Sequence, residues 1–257
     1  MNQSERRNYL IQKLLEEQPQ YAKMQIPGRC EEQKILLRSL MNIRMPGKIS
    51  KEFQQIQDAY LAEENAAKGV VTPADMEELS PEIYLWKGDI TRLQVGAIVN
   101  AANSGMTGCY QPCHNCIDNC IHTYAGIELR NYCNDIMQRQ GYAEPTGQAK
   151  ITPAFNLPCD YVIHTVGPIV QGRLTEEHER LLVSCYEACL RIAEENNIES
   201  IAFCCISTGV FMFPNERAAE LAIQTVKQYK DRTKSKIKVI FNVFKEEDER
   251  IYRRFLG

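Results

Sequence analysis

Net charge is nearly absent from this sequence. Among 257 residues, 30 lysines and arginines face 33 aspartates and glutamates, a formal −3 at pH 7. With no basic field to hold a phosphate backbone, nucleic acid is excluded as an expected partner. Long apolar runs are missing too: none approaches the roughly 20 residues that cross a bilayer, so no membrane association is expected. The opening MNQSERRNYLIQKLLEEQ is polar and amphipathic, unlike a charged-then-apolar export leader. Internal repeats and low-complexity stretches are also lacking. At 44% hydrophobic the chain is too apolar for disorder, and its length allows one or two globular domains with sizeable cores. Against these absences stands one excess, 11 cysteines. Without an export leader the expected location is the cytoplasm, where thiols stay reduced and serve as metal ligands, catalysts or packing rather than disulfides.

Residues 1 to about 75 read as helical. Leu10, Leu14 and Leu15 recur at helical spacing, as do Ile35, Leu36, Leu37 and Leu40. Pro27-Gly28 and Pro46-Gly47 divide the stretch into three helices, the third capped by Ser50 and carrying Phe53, Ile56 and Tyr60 on one side. No polar groups gather there at catalytic spacing, so the segment reads as a bracing or partner-docking extension. From about residue 80 short β-branched or aromatic runs appear: Ile83–Trp86, Ala97–Val99, Ala149–Thr152, Tyr161–Thr165, Ile201–Ile206 and Ile237–Phe244. Helical patterns separate most of them, around 116–139, 176–196, 214–230 and 246–255. This alternation predicts an α/β domain built on a largely parallel sheet covered on both faces. The expected division is a helical N-terminal extension, 1–78, followed by one domain, 79–257. In such sheets ligands bind beyond the carboxyl ends of the strands, which singles out the loops 87–91, 100–120, 165–172 and 207–213.

Asn100-Ala101-Ala102-Asn103 follows a strand, and its two amides can hold a hydroxyl-rich ligand such as a ribose; equally, Asn caps turns. Ser207-Thr208-Gly209-Val210-Phe211 follows the most apolar strand. The glycine there can turn backbone N–H groups toward an anion, and Phe211 can either stack on a ligand or join the core. Asp89, just past the first strand, can accept from an exocyclic amine or cap its own turn. The densest segment, Gly108 to His122, holds four of the 11 cysteines and two of the four histidines. Thiolate and imidazole are zinc's preferred ligands. Cys109, His114 and Cys116 make three, with Cys113, Cys120 and His122 in reserve. All the candidates lie in one short loop and helix start rather than in two distant CxxC pairs, which favours three ligands and an open position, the catalytic arrangement. With a helix starting near Asn115, Cys116 and Cys120 share one face and Asp118 and His122 the next. Redox chemistry through Cys113 and Cys116 is the competing reading. Cys185, Cys189, Cys204 and Cys205 lie in apolar patterns and read as core, and His164, inside a strand, reads as a satisfied structural histidine.

GDIT (88–91), IVNAANS (98–104), IHTVGP (163–168) and STGVFMFP (207–214) occur in the order and spacing of a macrodomain, the ADP-ribose-binding module, and residues 83–256 resemble that family. GCYQPCHNCIDNCIH stands where hydrolytic macrodomains have a glycine-rich loop before an Asp-Gly-Ala-Ile-His run. That replacement and the helical extension resemble the family's zinc-containing subclass. The resemblance implies a three-layer α/β/α fold with a mixed central sheet, and removal of ADP-ribose from modified proteins. It implies in bacteria an association with a sirtuin-type transferase and a lipoyl-carrier protein. By matching positions, Asp89 and Ile90 recognise adenine, Asn100 and Asn103 lie near the distal ribose, and Ser207, Thr208, Gly209, Val210 and Phe211 surround the diphosphate. Asn242 and Phe244 lie beside the adenosine, and Cys109, His114 and Cys116 hold Zn2+. Asp118 matches the aspartate of the ordinary hydrolytic loop, although Asn119 replaces the small glycine found there.

The expected function is therefore zinc-dependent hydrolysis of mono-ADP-ribose from a protein side chain, probed first as an Asp/Glu linkage, with Asp118, Asn103 and Asn100 as the catalytic group. Asp118 would orient a water or act as base. The rival is a non-catalytic ADP-ribose reader whose structural zinc is completed by Cys113 or Cys120. A monomer is the default expectation.

Overall fold

The computed structural model describes residues 1–21 and 23–257. Three helices come first: α1 (Gln3–Glu16), α2 (Cys30–Ile43) and α3 (Lys51–Ala67). Asn2 and Glu5 close a capping box on α1, and Ser50 Oγ accepts the Phe53 N–H to start α3. Leu10, Ile11 and Leu14 of α1 bury against Leu37, Leu40 and Met41 of α2 and Phe53 and Tyr60 of α3. Each fully buried aliphatic side chain contributes roughly 1.5–3 kcal/mol, enough for these helices to hold a core of their own.

The rest alternates strands and helices: β1 (Glu77–Ser80), β2 (Ile83–Lys87), β3 (Ala97–Ala101), α4 (Ile117–Ala125), α5 (Ile127–Gln140), β4 (Ala149–Pro153), β5 (Tyr161–Thr165), α6 (Glu176–Glu195), β6 (Ser200–Phe203), α7 (Asn215–Thr233), β7 (Lys238–Val243) and α8 (Glu246–Leu256). Among the described residues they form one seven-stranded sheet, ordered β1-β2-β7-β6-β3-β5-β4. The five inner strands are parallel, whereas the edge strands β1 and β4 are antiparallel to their neighbours, so the sheet is mixed. With helices on both faces, the inner strands carry continuous apolar runs, as in Ala97-Ile98-Val99 and Ile201-Ala202-Phe203.

Two elements differ from expectation. No sequence pattern predicts β1, because EELS lacks apolar alternation; the strand is an edge held by its ladder with β2. The helical pattern at 116–139 is two helices, because Gly126 takes φ +102° where α3 approaches closely. A Cβ at Gly126 would lie 2.8 Å from Gln57 Nε2. The parallel inner strands point their carboxyl ends the same way, so the loops 88–92, 102–116, 166–174 and 204–214 converge at one end of the sheet.

Candidate functional site

β3 delivers Asn100, the chain turns through Asn103, and Asp118 follows in the first turn of α4, where a helix N-terminus favours a carboxylate. The three meet. Asn100 Nδ2 donates to Asp118 Oδ1 at 2.8 Å, and Asn103 Nδ2 donates to Oδ2 at 3.2 Å. Burial pushes the Asp118 carboxyl up to about 6, while Asn100, Arg130 and Asn103 draw it back. Behind them on β5, His164 Nδ1 lies 3.1 Å from Asn100 Nδ2, and its Nε2 lies 3.0 Å from Thr152 Oγ1. Burial lowers His164 to about 3, so it is neutral, a satisfied core histidine as expected. Asn100 is 0% exposed and steadies Asp118 from behind, its side chain enclosed rather than open to solvent. Asn103, by contrast, is exposed at the surface.

The cysteine-rich loop brings Cys109, His114 and Cys116 together, their donor atoms all within 4.8 Å of one another. Cys109 Sγ lies 3.6 Å from His114 Nδ1. A tetrahedral zinc would set a sulfur and a nitrogen ligand about 3.5 Å apart, so the soft donor set fits the ion in chemistry and in spacing. Cys116 is the N-cap of α4, which starts at Ile117, two residues later than expected, and its Sγ accepts the Asn119 N–H at 3.4 Å. Cys116 Sγ groups with Cys109 and His114, whereas Cys120, one turn on, has different neighbours. The reserves point elsewhere: Cys113 Sγ lies 3.2 Å from Ser39 Oγ of α2, and Cys120 Sγ lies 3.7 Å from Arg38 Nη2. Cys113 and Cys116 thus part company, and burial pushes the Cys116 thiol up to about 12, which disfavours redox exchange between them. His122 is buried with its Nε2 3.6 Å from Asp118 Oδ1, and burial drives its pKa well down. It forms a second donor group with Cys133 and His164, but His164 is already committed to Asn100 and Thr152, so this group reads as packing.

In the loop after β6 the backbone differs from expectation. The left-handed positions are Ser207 (φ +66°) and Met212 (φ +59°), not Gly209. Gly167, from the loop after β5, packs so tightly on the buried Ser207 that a Cβ there would overlap its Oγ. Phe213 N–H donates to Ser207 O at 3.0 Å, closing the loop on itself, and Val170 N–H donates to Phe211 O at 2.8 Å, tying the two loops together. Among the described residues, the N–H groups of Gly209, Val210 and Phe211 have no acceptor. Three consecutive amides at this turn are thus free to donate to a ligand. Thr208 Oγ1 turns back to Cys205 O at 3.0 Å, while Phe211 is half-buried and the core position goes to Phe213.

At the other end, Asp89 Oδ1 accepts from Thr91 N at 3.0 Å and Oγ1 at 2.7 Å, capping its turn, while Oδ2 remains 3.7 Å from Lys68 Nζ. Lys68, the C-cap of α3, also donates to Thr91 Oγ1 at 3.3 Å and lies over the Tyr124 ring. Burial lowers its amine to about 8 even though Asp89 raises it. The Ile90 side chain is buried, leaving only its backbone at the surface of this turn. Asn242 is 6% exposed, and its Nδ2 donates to Gly88 O at 2.9 Å, so it holds the 88–91 turn. Phe244 is 77% exposed beside it. Lys68 belongs to this region although no local motif marks it.

A Macro domain family model matches residues 99–222. A protein-ADP-ribose hydrolase of Treponema medium is 57% identical over 261 aligned residues, covering 100% of both chains. Among solved structures, the Oceanobacillus iheyensis macrodomain with ADP superposes with a TM-score of 0.63 at 34% identity, covering 70% of this chain and 93% of that one. The Trypanosoma brucei macrodomain in complex with ADP-ribose gives a TM-score of 0.67 at 26% identity, covering 86% and 95%.

Proposed function

The chain belongs to the Macro domain family, and from that premise we propose that it is a zinc-dependent protein-ADP-ribosyl hydrolase, removing mono-ADP-ribose from an aspartate or glutamate side chain of a modified protein. The observation that carries this reading is the first turn of α4: Asp118 follows two residues after the zinc-ligand candidate Cys116, with Asn103 between its carboxylate and solvent. The unpaired amides of Gly209, Val210 and Phe211 suit a diphosphate. Asn103 then faces the distal ribose. Asp118 orients a water against the anomeric carbon and takes its proton. The water oxygen bonds to that carbon, the bond to the side-chain oxygen breaks, and ADP-ribose leaves the restored carboxylate.

Cys109, His114 and Cys116 would hold a zinc ion, which would supply Lewis-acid polarisation when bound. Cys113 and Cys120 engage α2 instead, which favours three protein donors and an open position over the closed structural zinc of a non-catalytic ADP-ribose reader. The same reading includes a monomer acting in the cytoplasm, and a lipoyl-carrier protein modified by a sirtuin-type transferase as the substrate.

The test follows ADP-ribose release from an Asp/Glu-modified protein by wild type, Asp118→Ala and Cys116→Ala, with metal content measured in each. The expected result is a loss of roughly 10²–10⁴ in rate for Asp118→Ala, and loss of both zinc and rate for Cys116→Ala. Equal rates with metal absent from all three remove the zinc from the reaction. Tight ADP-ribose binding with no release by wild type turns the protein into a reader.

A further inference from the structure

The loop that carries the zinc ligands contains no helix or strand between Gly108 and Asn115. Its ligands are spaced five and two residues apart, so no helical face sets their geometry. Part of the support is local: Asn119 Nδ2 donates to Gln111 O at 2.9 Å and to Cys109 O at 3.3 Å. The rest comes from α2. Arg38 Nη2 donates to the His114 carbonyl at 2.7 Å and to Asn119 Oδ1 at 3.0 Å. Asn42, 1% exposed, accepts the Cys113 N–H at 2.9 Å and donates to Thr123 Oγ1 on α4 at 2.9 Å. The peptide groups on both sides of the His114 nitrogen are therefore gripped by side chains 71 and 76 residues away in sequence. Cys113 itself sits at φ +51°, a backbone position that needs such support.

The clamp is anchored in turn. Arg130 Nη1 donates to the carbonyls of Met41, Asn42 and Arg44 at the end of α2, at 3.1, 2.7 and 2.7 Å. Its guanidinium also lies over the ring of Tyr110, within the loop, 4.4 Å from the centroid.

We infer that α2 is the outer brace of the metal loop: Arg38 and Asn42 are positioning residues that hold Cys109, His114 and Cys116 ready to take a zinc ion, and this is a task of the helical extension. The inference rests on the zinc reading above. Metal ligands depend on their outer partners, whose loss typically weakens metal affinity 10–100-fold. Both acceptors are served by the single nitrogen Nη2 at the tip of the guanidinium, and the shorter, flexible lysine stem does not carry its ammonium to that point.

The experiment uses the full chain as wild type, Arg38→Ala, Arg38→Lys and Asn42→Ala. It measures zinc affinity by chelator competition and, on metal-free protein, amide hydrogen exchange across 109–116 and affinity for free ADP-ribose. The expected result is zinc binding weakened roughly 10–100-fold in all three variants, faster exchange in the loop, and unchanged ADP-ribose affinity as evidence of an intact fold. Variants that bind zinc as tightly as wild type overturn the inference while leaving the zinc reading in place. If wild type itself binds no zinc, the zinc reading falls, and the exchange data still decide whether α2 holds the loop: unchanged exchange overturns that too. If Asn42→Ala fails to fold, the half-buried Arg38, as Arg38→Ala and Arg38→Lys, carries the test.

Discussion

Asn100→Ala separates a steadying role from a ligand contact. The Asn100 side chain is fully enclosed and donates to Asp118 Oδ1 at 2.8 Å. Its removal leaves a buried carboxylate with only Asn103 as an amide donor. A hydrogen bond to a charged group contributes about 1.5–3 kcal/mol, and each 1.36 kcal/mol is tenfold in rate, so kcat falls by roughly 10- to 150-fold. No part of Asn100 reaches solvent, so affinity for free ADP-ribose should hold within about twofold. Initial rates of ADP-ribose release, paired with calorimetric titration of free ADP-ribose, read the two quantities separately. Asn103→Ala provides the contrast, because an exposed amide beside the ligand should lower affinity and rate together. If Asn100→Ala weakens ADP-ribose binding as much as it slows release, Asn100 touches the ligand and the enclosed, supporting role is wrong.

Three further outcomes follow from the packing. Lys68 has its amine lowered to about 8 by burial, so the unfolded chain binds the extra proton between about pH 8 and its ordinary value and wild-type stability rises there. The melting temperature of wild type minus that of Lys68→Met should therefore climb from pH 7.5 to about pH 9.5; a flat difference refutes the buried amine. Gly167→Ala drives a methyl into Ser207 Oγ, and ADP-ribose affinity should drop at least about tenfold, roughly 1.4 kcal/mol. Adding Ser207→Gly, which removes that oxygen and suits φ +66°, should restore much of it; no rescue points to a different cause. Gly126→Ala forces a side chain to φ +102° against Gln57, costing about 1–3 kcal/mol. Thermal unfolding should then shift down by about 2–4 °C per kcal/mol, and an unchanged midpoint would mean that the break between α4 and α5 is not strained.

What could be read in the sequence was what is written locally. Strand runs such as Ala97–Val99 and Tyr161–Thr165 appear as β3 and β5 because strands buried on both faces must be apolar. Cys109, His114 and Cys116 come together because they are near neighbours in the chain. The turn at Asp89 could not be assigned one role because its two carboxylate oxygens divide the work, one capping Thr91 and the other facing Lys68. Asn100 and Asn242 match family positions, yet a matching position does not say which way a side chain turns. Both are sealed by neighbours that the sequence leaves far apart, Asp118 and His164 in one case and Gly88 in the other.

The helical extension hid its role for the same reason, although one signal was available. Its apolar stripe through Leu37, Leu40 and Met41 is interrupted at the buried edge by Asn42. An enclosed amide must find hydrogen-bond partners or cost stability, so a polar residue on the buried side of an amphipathic helix marks a second contact, one beyond the helix's own core. Here the partners are the Cys113 N–H and Thr123 Oγ1, both in the segment that carries the metal ligands. Arg38, one turn earlier, reaches the same segment, so the two residues four positions apart present one polar edge to one loop. An extension that only packed its own leucines would have no use for that edge. Its presence is the physical reason to treat the first helices as part of the site.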